Sequence, residues 1–344
     1  MSYEYERVAP ASGLRLHLNE NTAGCSPAVV AALRALSAQD LAIYPDYDDA
    51  VAACAARLRV DPESLLLTNG LDEGILVAAM VALRGATSAV PFEGIVVVPA
   101  FDMYAACTDE AGGHVVEVPL GPAFEFPLDG VLAAVNDRTR IIWLTNPNNP
   151  TGQSIGRDAI VTIARAASAA LVFVDEAYVD FGGESLIGRP ELVELPNLVV
   201  GRTFAKAYGL AGIRAGAVIG PRGRIAQLRR ATPPYSINVC AAAALPAAFG
   251  DAAYYDWYVR QVAESKRLLY GAFETRGIEY WKSNANFVLA RFPGRGPALA
   301  AALAQRGVHV RDRSRDPGCR DCLRITAGVV EHTRTLLDAL AEVL

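Results

Sequence analysis

What this chain of 344 residues lacks narrows it first. It has no basic block: 32 Lys and Arg stand against 37 Asp and Glu, a net charge of −5, so nucleic acid is not an expected partner. It has no apolar run long enough to span a bilayer. Met1 to Pro10 is polar and acidic where a secretion signal needs a positive start and then an apolar stretch, so a cytoplasmic protein with no membrane segment is expected. Its four histidines, His17, His114, His309 and His332, do not cluster, which leaves a His-based mechanism unsupported. Its six cysteines are dispersed at Cys25, Cys54, Cys107, Cys240, Cys319 and Cys322. Only the last two form a C-x-x-C pair. With no second pair and no neighbouring His pair they read as ordinary thiols near a turn, and no metal is expected. A Gly-x-Gly-x-x-Gly after a strand and a phosphate-loop lysine motif are both missing, which argues against a nicotinamide dehydrogenase.

What is present describes a globular enzyme-sized chain: 52% hydrophobic and 20% charged, enough to bury a sizeable core in two lobes. Short apolar runs at Leu65–Thr68, Ile95–Val98, Arg140–Thr145, Leu171–Val174, Leu198–Val200 and Ala215–Ile219 read as buried strands. Helical stretches at Leu71–Leu83, Arg157–Ala167 and Arg222–Ala231 lie between them, the last stopped by Pro233 and Pro234. This alternation predicts an α/β fold with a large, mainly parallel sheet. After Pro246 the pattern changes to a long amphipathic helix over Asp251–Arg276, then strands and helices of a smaller α+β lobe. The expected division is a large domain over 41–249 and a small one formed by 1–40 with 250–344.

Three segments follow predicted strands, where open α/β sheets place their ligands. They are Asn146-Pro147-Asn148-Asn149-Pro150-Thr151-Gly152, then Asp175-Glu176-Ala177-Tyr178, then Arg202-Thr203-Phe204-Ala205-Lys206 with Arg214 beyond. Taken singly each has an ordinary reading: a turn, a helix cap, a solvated lysine. Together at successive strand ends they fit the parts that pyridoxal 5'-phosphate (PLP) requires. Those parts are a lysine to condense with its aldehyde, a carboxylate for its pyridine nitrogen, donors to its ring oxygen, and a phosphate cradle. Lys206, Asp175, and Asn149 with Tyr178 fill the first three. Asn69-Gly70-Leu71-Asp72-Glu73, opening a helix after a strand, suits the phosphate through Leu71 and Asp72, with Thr203 and Arg214 adding a hydroxyl and a guanidinium.

These residues resemble the PLP-dependent aminotransferases of fold type I, and within them the histidinol-phosphate aminotransferase group. The likeness runs nearly end to end, through Leu18-Asn19-Glu20-Asn21, Tyr44-Pro45-Asp46, Asn69–Glu73, Asn146–Gly152, Asp175–Tyr178, Arg202–Arg214 and Cys322-Leu323-Arg324-Ile325-Thr326-Ala327-Gly328. The resemblance implies a fold-type-I transferase with histidinol phosphate as amino donor and 2-oxoglutarate and glutamate as partner pair. It implies that Tyr104 stacks on the cofactor ring, that Tyr44 reaches the cofactor phosphate of a neighbouring subunit in a homodimer, and that Arg324 grips the substrate α-carboxylate. Arg311 sits where the group has a further site arginine.

Three departures bear on the substrate. Ala23 stands where the group commonly has a tyrosine that helps hold the substrate phosphate. Val329-Val330-Glu331 stands where many members have an arginine, and Ala205 where the group often has a serine. Arg311, Arg313 or Arg315 could replace the lost phosphate contact, or the stretch Arg311 to Asp321 is a solvated loop. An aromatic amino acid aminotransferase is the alternative in the same chemistry. A PLP-dependent decarboxylase is a second, and Arg324 speaks against it. A cofactor-sensing regulator would add a DNA-binding domain, whereas the aminotransferase pattern already starts by Leu16.

Overall fold

Runs such as Leu65-Leu66-Leu67 and Leu171-Val172-Phe173-Val174 have no polar side to present to water. The computed structural model, which describes residues 12–87 and 89–344, buries them inside a sheet covered on both faces. The expectation made for Met1 to Pro10 lies outside the described residues. Twelve strands occur among the described residues: β1 (Leu14–Leu16), β2 (Leu65–Asn69), β3 (Glu93–Val98), β4 (His114–Pro119), β5 (Thr139–Thr145), β6 (Leu171–Asp175), β7 (Leu198–Thr203), β8 (Ala215–Ile219), β9 (Glu279–Trp281), β10 (Phe287–Arg291), β11 (Val308–Asp312) and β12 (Cys322–Thr326). Seven form the large sheet in the order β2-β8-β7-β6-β5-β3-β4. Alternate residues of one strand join different cores: Val172 and Val174 pack on one face, Phe173 with Trp143 and Tyr104 on the other.

The four pairings from β7 to β4 are parallel, while β8 runs antiparallel to both its neighbours. Chain length explains the exception. A parallel return needs a crossover of about a dozen residues or more, usually with a helix. Residues 204–214 contain only the short 3-10 turn Ala211–Ile213, so the chain folds straight back. That reversal leaves both ends of the 204–214 loop at the edge where β5, β6 and β7 end. β2 runs in the same direction as β7, so its end at Asn69 reaches this edge as well.

The second sheet, β1-β11-β12-β10-β9, is antiparallel except for β1 beside β11, and joins residues from both ends of the chain. The helix Ala252–Thr275 leads into it, and the helix Arg222–Ala231 ends before Pro233 and Pro234 as expected. No helix among the described residues is long and apolar enough to cross a membrane.

Candidate active site

β5 and β6 end level, with Thr145 beside Asp175, and β7 runs two residues past Gly201, the partner of Asp175, so the loops that follow open onto one cavity of about 170 Å³. Its walls include Leu71, Asp72, Tyr104, Asn149, Asp175, Tyr178, Thr203, Lys206 and Arg214, nine candidates drawn from five separate stretches of chain. Ile75, Phe101, Thr145, Ala177 and Ala205 complete the lining. Tyr44 is not part of it: it is 74% exposed and stacks on Tyr235 at 4.1 Å between ring centroids.

Asp175 closes the floor. One carboxylate oxygen accepts the Ala177 N–H at 2.8 Å, and the other accepts the Tyr104 hydroxyl at 2.6 Å. Burial pushes its carboxyl up to about 6, and these two donors hold it from rising further. Tyr104 is held from three sides, by Asp175, by a 3.2 Å bond from the Thr145 hydroxyl, and by stacking on Trp143 with 5.4 Å between centroids.

Lys206 reaches the cavity from the 204–214 loop, its Nζ donating to the Leu18 carbonyl at 3.2 Å and lying 5.7 Å from the centre of the Tyr178 ring. At the other end of the loop, Arg214 sits in the left-handed region with φ +59° and donates to Asp72 at 2.7 Å. Close approach here requires glycine twice. A Cβ on Gly70, itself at φ +71°, would lie 2.5 Å from the Arg214 guanidinium, and one on Gly216 would lie 2.7 Å from the Leu71 nitrogen. The helix Gly70–Ala82 therefore begins at the cavity with free backbone N–H groups beside an arginine and the Thr203 hydroxyl, an arrangement that receives anions.

Arg324 lies on β12, an interior strand flanked by β11 and β10, and is buried. It donates to Asn149 Oδ1 at 2.5 Å and to the His17 carbonyl at 2.6 Å, while its Nε has no hydrogen-bond partner among the described residues. Burial disfavours its charge and pulls the guanidinium pKa down to about 10. A buried guanidinium with neutral partners and an unused N–H is a ready receptor for a carboxylate. Arg311 stands opposite Arg324 across β11 and β12, half-buried and outside the cavity lining. The stretch from 311 to 321 is not simply a solvated loop, because it starts within β11 and buries Arg313 against Asp316. Ala23 and Val330 do not line the cavity either.

Two features escaped sequence reasoning. Asn19 bonds to Tyr178 across 159 residues of chain, a contact signalled only by its place in the Leu18–Asn21 motif. Behind the cavity, Arg202 is buried with Asp180 at 2.6 Å and Glu176 at 3.5 Å, and Tyr255 donates to the same Asp180 at 2.9 Å. Burial opposes the Arg202 charge, but the two carboxylates outweigh it and hold the guanidinium firmly protonated. Arg202→Met strands two buried carboxylates, so unfolding in urea should show a loss of roughly 3–5 kcal/mol. A loss under about 1 kcal/mol would mean that the carboxylates find other partners.

The chain matches the model of the aminotransferase class I and II family over residues 11–344. The histidinol-phosphate aminotransferase of Roseiflexus castenholzii is 37% identical over 343 residues, covering 96% of this chain and 89% of that one. The protein of the same name from Bacillus subtilis is 34% identical over 338 residues, covering 96% and 91%. Among solved structures, the histidinol-phosphate aminotransferase from Sinorhizobium meliloti in complex with pyridoxal-5'-phosphate is similar with a TM-score of 0.84 and 26% identity, covering 96% and 90%. A mutant aspartate aminotransferase from Thermus thermophilus, 24% identical, shares the fold with a TM-score of 0.80, covering 97% and 92%. With the large mainly parallel sheet, the smaller second sheet and the strand-end cavity in place, the chain belongs to the class I and II aminotransferases, with the fold-type-I architecture.

Proposed function

We propose that this chain is a PLP-dependent aminotransferase that takes histidinol phosphate as amino donor, with glutamate and 2-oxoglutarate as its partner pair. The observation that carries the reading is a single cavity joining a lysine amine that donates to a main-chain carbonyl, a buried aspartate, and a helix N-terminus with an arginine beside it. The names of the Roseiflexus and Bacillus relatives support the donor, and the ligand of the Sinorhizobium protein supports the cofactor. The donor set fits that group: with no Cβ at 70 or 216, the Arg214 guanidinium and the start of the helix come together at the cavity as a cation beside main-chain N–H groups, which suits a phosphate.

PLP, when bound, supplies an aldehyde carbon for amino groups and a ring that takes up the electrons left by a departing α-proton. Leu71, Asp72, Thr203 and Arg214 would hold its phosphate, and Asn149 and Tyr178 its ring oxygen. Asp175, ionised above about pH 6, would keep a proton on the ring nitrogen. Lys206 Nζ takes and returns the proton of the substrate α-carbon. Arg324 orients glutamate and 2-oxoglutarate by the α-carboxylate and meets the phosphate ester of histidinol phosphate, which has no carboxylate, with the same planar fork; its bond to Asn149 ties substrate grip to cofactor grip. Arg324→Gln should lower kcat/KM for amino donor and 2-oxo acid alike, roughly 10- to 150-fold, the range of one charge-assisted contact. An effect on only one of the two substrates would show that Arg324 does not serve both anionic groups, the donor's phosphate and the 2-oxo acid's carboxylate.

In this reading residues 41–249 form the cofactor-binding lobe, and 1–40 with 250–344 the smaller one, as the pairing of β1 with β11 supports. The protein works in the cytoplasm, where its six free cysteines stay reduced, as a homodimer. Tyr44, exposed and outside its own cavity beside exposed Leu41, Ile43 and Tyr235, suits a residue that completes a neighbour's phosphate site. Aromatic amino acids are the alternative donor class, although Ala23 and Val330, the departures that suggest them, do not line the cavity. The test adds histidinol phosphate, phenylalanine, tyrosine and glutamate separately to the PLP-loaded protein and follows its visible band. Fastest bleaching by histidinol phosphate supports the donor proposed. Faster bleaching by the aromatic amino acids replaces it, and a protein that gains no visible band with PLP overturns the reading.

A further inference from the structure

Asn19 is a fully buried asparagine held in the left-handed region at φ +55°, in a segment that touches two residues of the cavity lining, Lys206 through the Leu18 carbonyl and Tyr178 through the Asn19 side chain. Its backbone N–H donates to the Thr326 hydroxyl at 3.1 Å, and its carbonyl accepts the Asn286 side chain at 3.1 Å. These two bonds anchor the strained backbone from both sides. The side-chain amide is left with two neighbours, the Thr326 hydroxyl and the Tyr178 hydroxyl, each at 3.2 Å.

The amide could face these neighbours either way round, and Thr326 decides. Thr326 is fully buried and its oxygen already accepts the Asn19 N–H, so its own proton needs an acceptor. Among the described residues Asn19 Oδ1 is that acceptor. Turning the amide over would leave a buried hydroxyl proton without a partner, the more costly arrangement. Asn19 Oδ1 therefore faces Thr326, and Asn19 Nδ2 donates to Tyr178. A tyrosine hydroxyl has one proton to give. With its oxygen occupied as an acceptor from Asn19, Tyr178 directs that proton elsewhere, and its ring lines the cavity.

We infer that Asn19 is a positioning residue that aims the Tyr178 proton into the cavity, and that Thr326, two residues beyond Arg324 on β12, sets the direction of Asn19. The inference rests on the proposed function, in which the acceptor is the ring oxygen of bound PLP. It also places the proton of a cofactor contact under the control of the strand that carries the substrate arginine.

The experiment is a pH titration of the visible band of PLP-loaded protein for the unaltered chain, Asn19→Asp, Tyr178→Phe and the double variant. An aspartate at 19 cannot donate, so the Tyr178 proton turns toward it and the ring oxygen loses a donor. Loss of a donor to an anionic oxygen raises the midpoint, by about one to two pH units for a hydrogen bond to a charged group. The expected result is a rise in both single variants and no further rise in the double variant. Additive shifts would assign the Asn19→Asp effect to its new charge and overturn the inference. So would an unchanged midpoint in Asn19→Asp while Tyr178→Phe moves it, or an unchanged midpoint in Tyr178→Phe. Thr326→Val, which adds no charge, should raise the midpoint by a smaller amount and serves if Asn19→Asp does not fold; no rise there overturns the inference too. A chain that shows no visible band with PLP refutes the underlying function instead, so the two failures are distinguishable.

Discussion

Lys206→Ala should lower kcat/KM by at least about 10⁴, the upper end of what one proton-transferring group contributes, and should abolish the visible band formed with PLP. Nothing else in the cavity can stand in for it. It is the single lysine in the lining, and the arginine there, Arg214, is committed to Asp72. The fold should survive, since Lys206 makes one hydrogen bond, to the Leu18 carbonyl, and is only partly buried. Circular dichroism and thermal melts of the cofactor-free variant should match those of the unaltered protein. Residual activity above about a hundredth of normal would remove Lys206 from the α-proton transfer.

Asp175→Asn should move activity and stability in opposite directions. Activity falls by at least about 10²-fold, as when a preorganised electrostatic contact is lost from a buried site, because a neutral amide cannot hold a proton on the ring nitrogen. Stability of the cofactor-free chain rises. Burial raises the Asp175 carboxyl from 3.8 to about 6, so between those values the folded chain binds more protons than the unfolded one. Its contribution to stability is therefore present in full below about pH 4 and is lost as pH climbs through 6. By neutral pH the ionised carboxylate weakens the fold by about 3 kcal/mol on this account. Asparagine keeps both bonds, accepting from Ala177 and donating to Tyr104, whose own proton can turn to Thr145. A gain of roughly 1–3 kcal/mol in urea titration at pH 7, shrinking toward pH 4, is the expected signature. A loss of stability at pH 7 would show that Asp175 is held in its charged form by the fold itself.

Much of the large sheet was legible because a buried parallel strand must be apolar for most of its length, as β5, β6 and β7 are. β4 was not, since His114-Val115-Val116-Glu117 is an edge strand with exposed positions, and β1 has only three residues. The direction of β8 was hidden as well: Ala215–Ile219 is equally apolar in either sense, and only the short loop before it carries the information. The strand-end rule located Asn149, Asp175, Thr203 and Lys206 from local sequence alone. It could not reach Arg324, whose bond to Asn149 depends on a second sheet, nor the Arg202 network, which needs Asp180 and Tyr255 to meet in space. Arg324 came instead from the family resemblance, and the pairing of Asn19 with Tyr178 from neither source.

The contact of Asn19 with Thr326 spans 307 residues, as does that of His17 with Arg324. During synthesis at about 5–20 residues per second, the early segment waits roughly 15–60 s before its partners emerge. Leu16, fully buried in the finished fold, spends that interval without the strand β11 that covers it. A nascent chain can therefore complete its seven-stranded sheet before β1 finds β11, which happens only when nearly all of the chain has been made. Ribosome-stalled chains ending before β12 should bind PLP weakly and transfer no amino groups, and molecular chaperones would find their natural target in the unpaired residues around Leu14–Leu16.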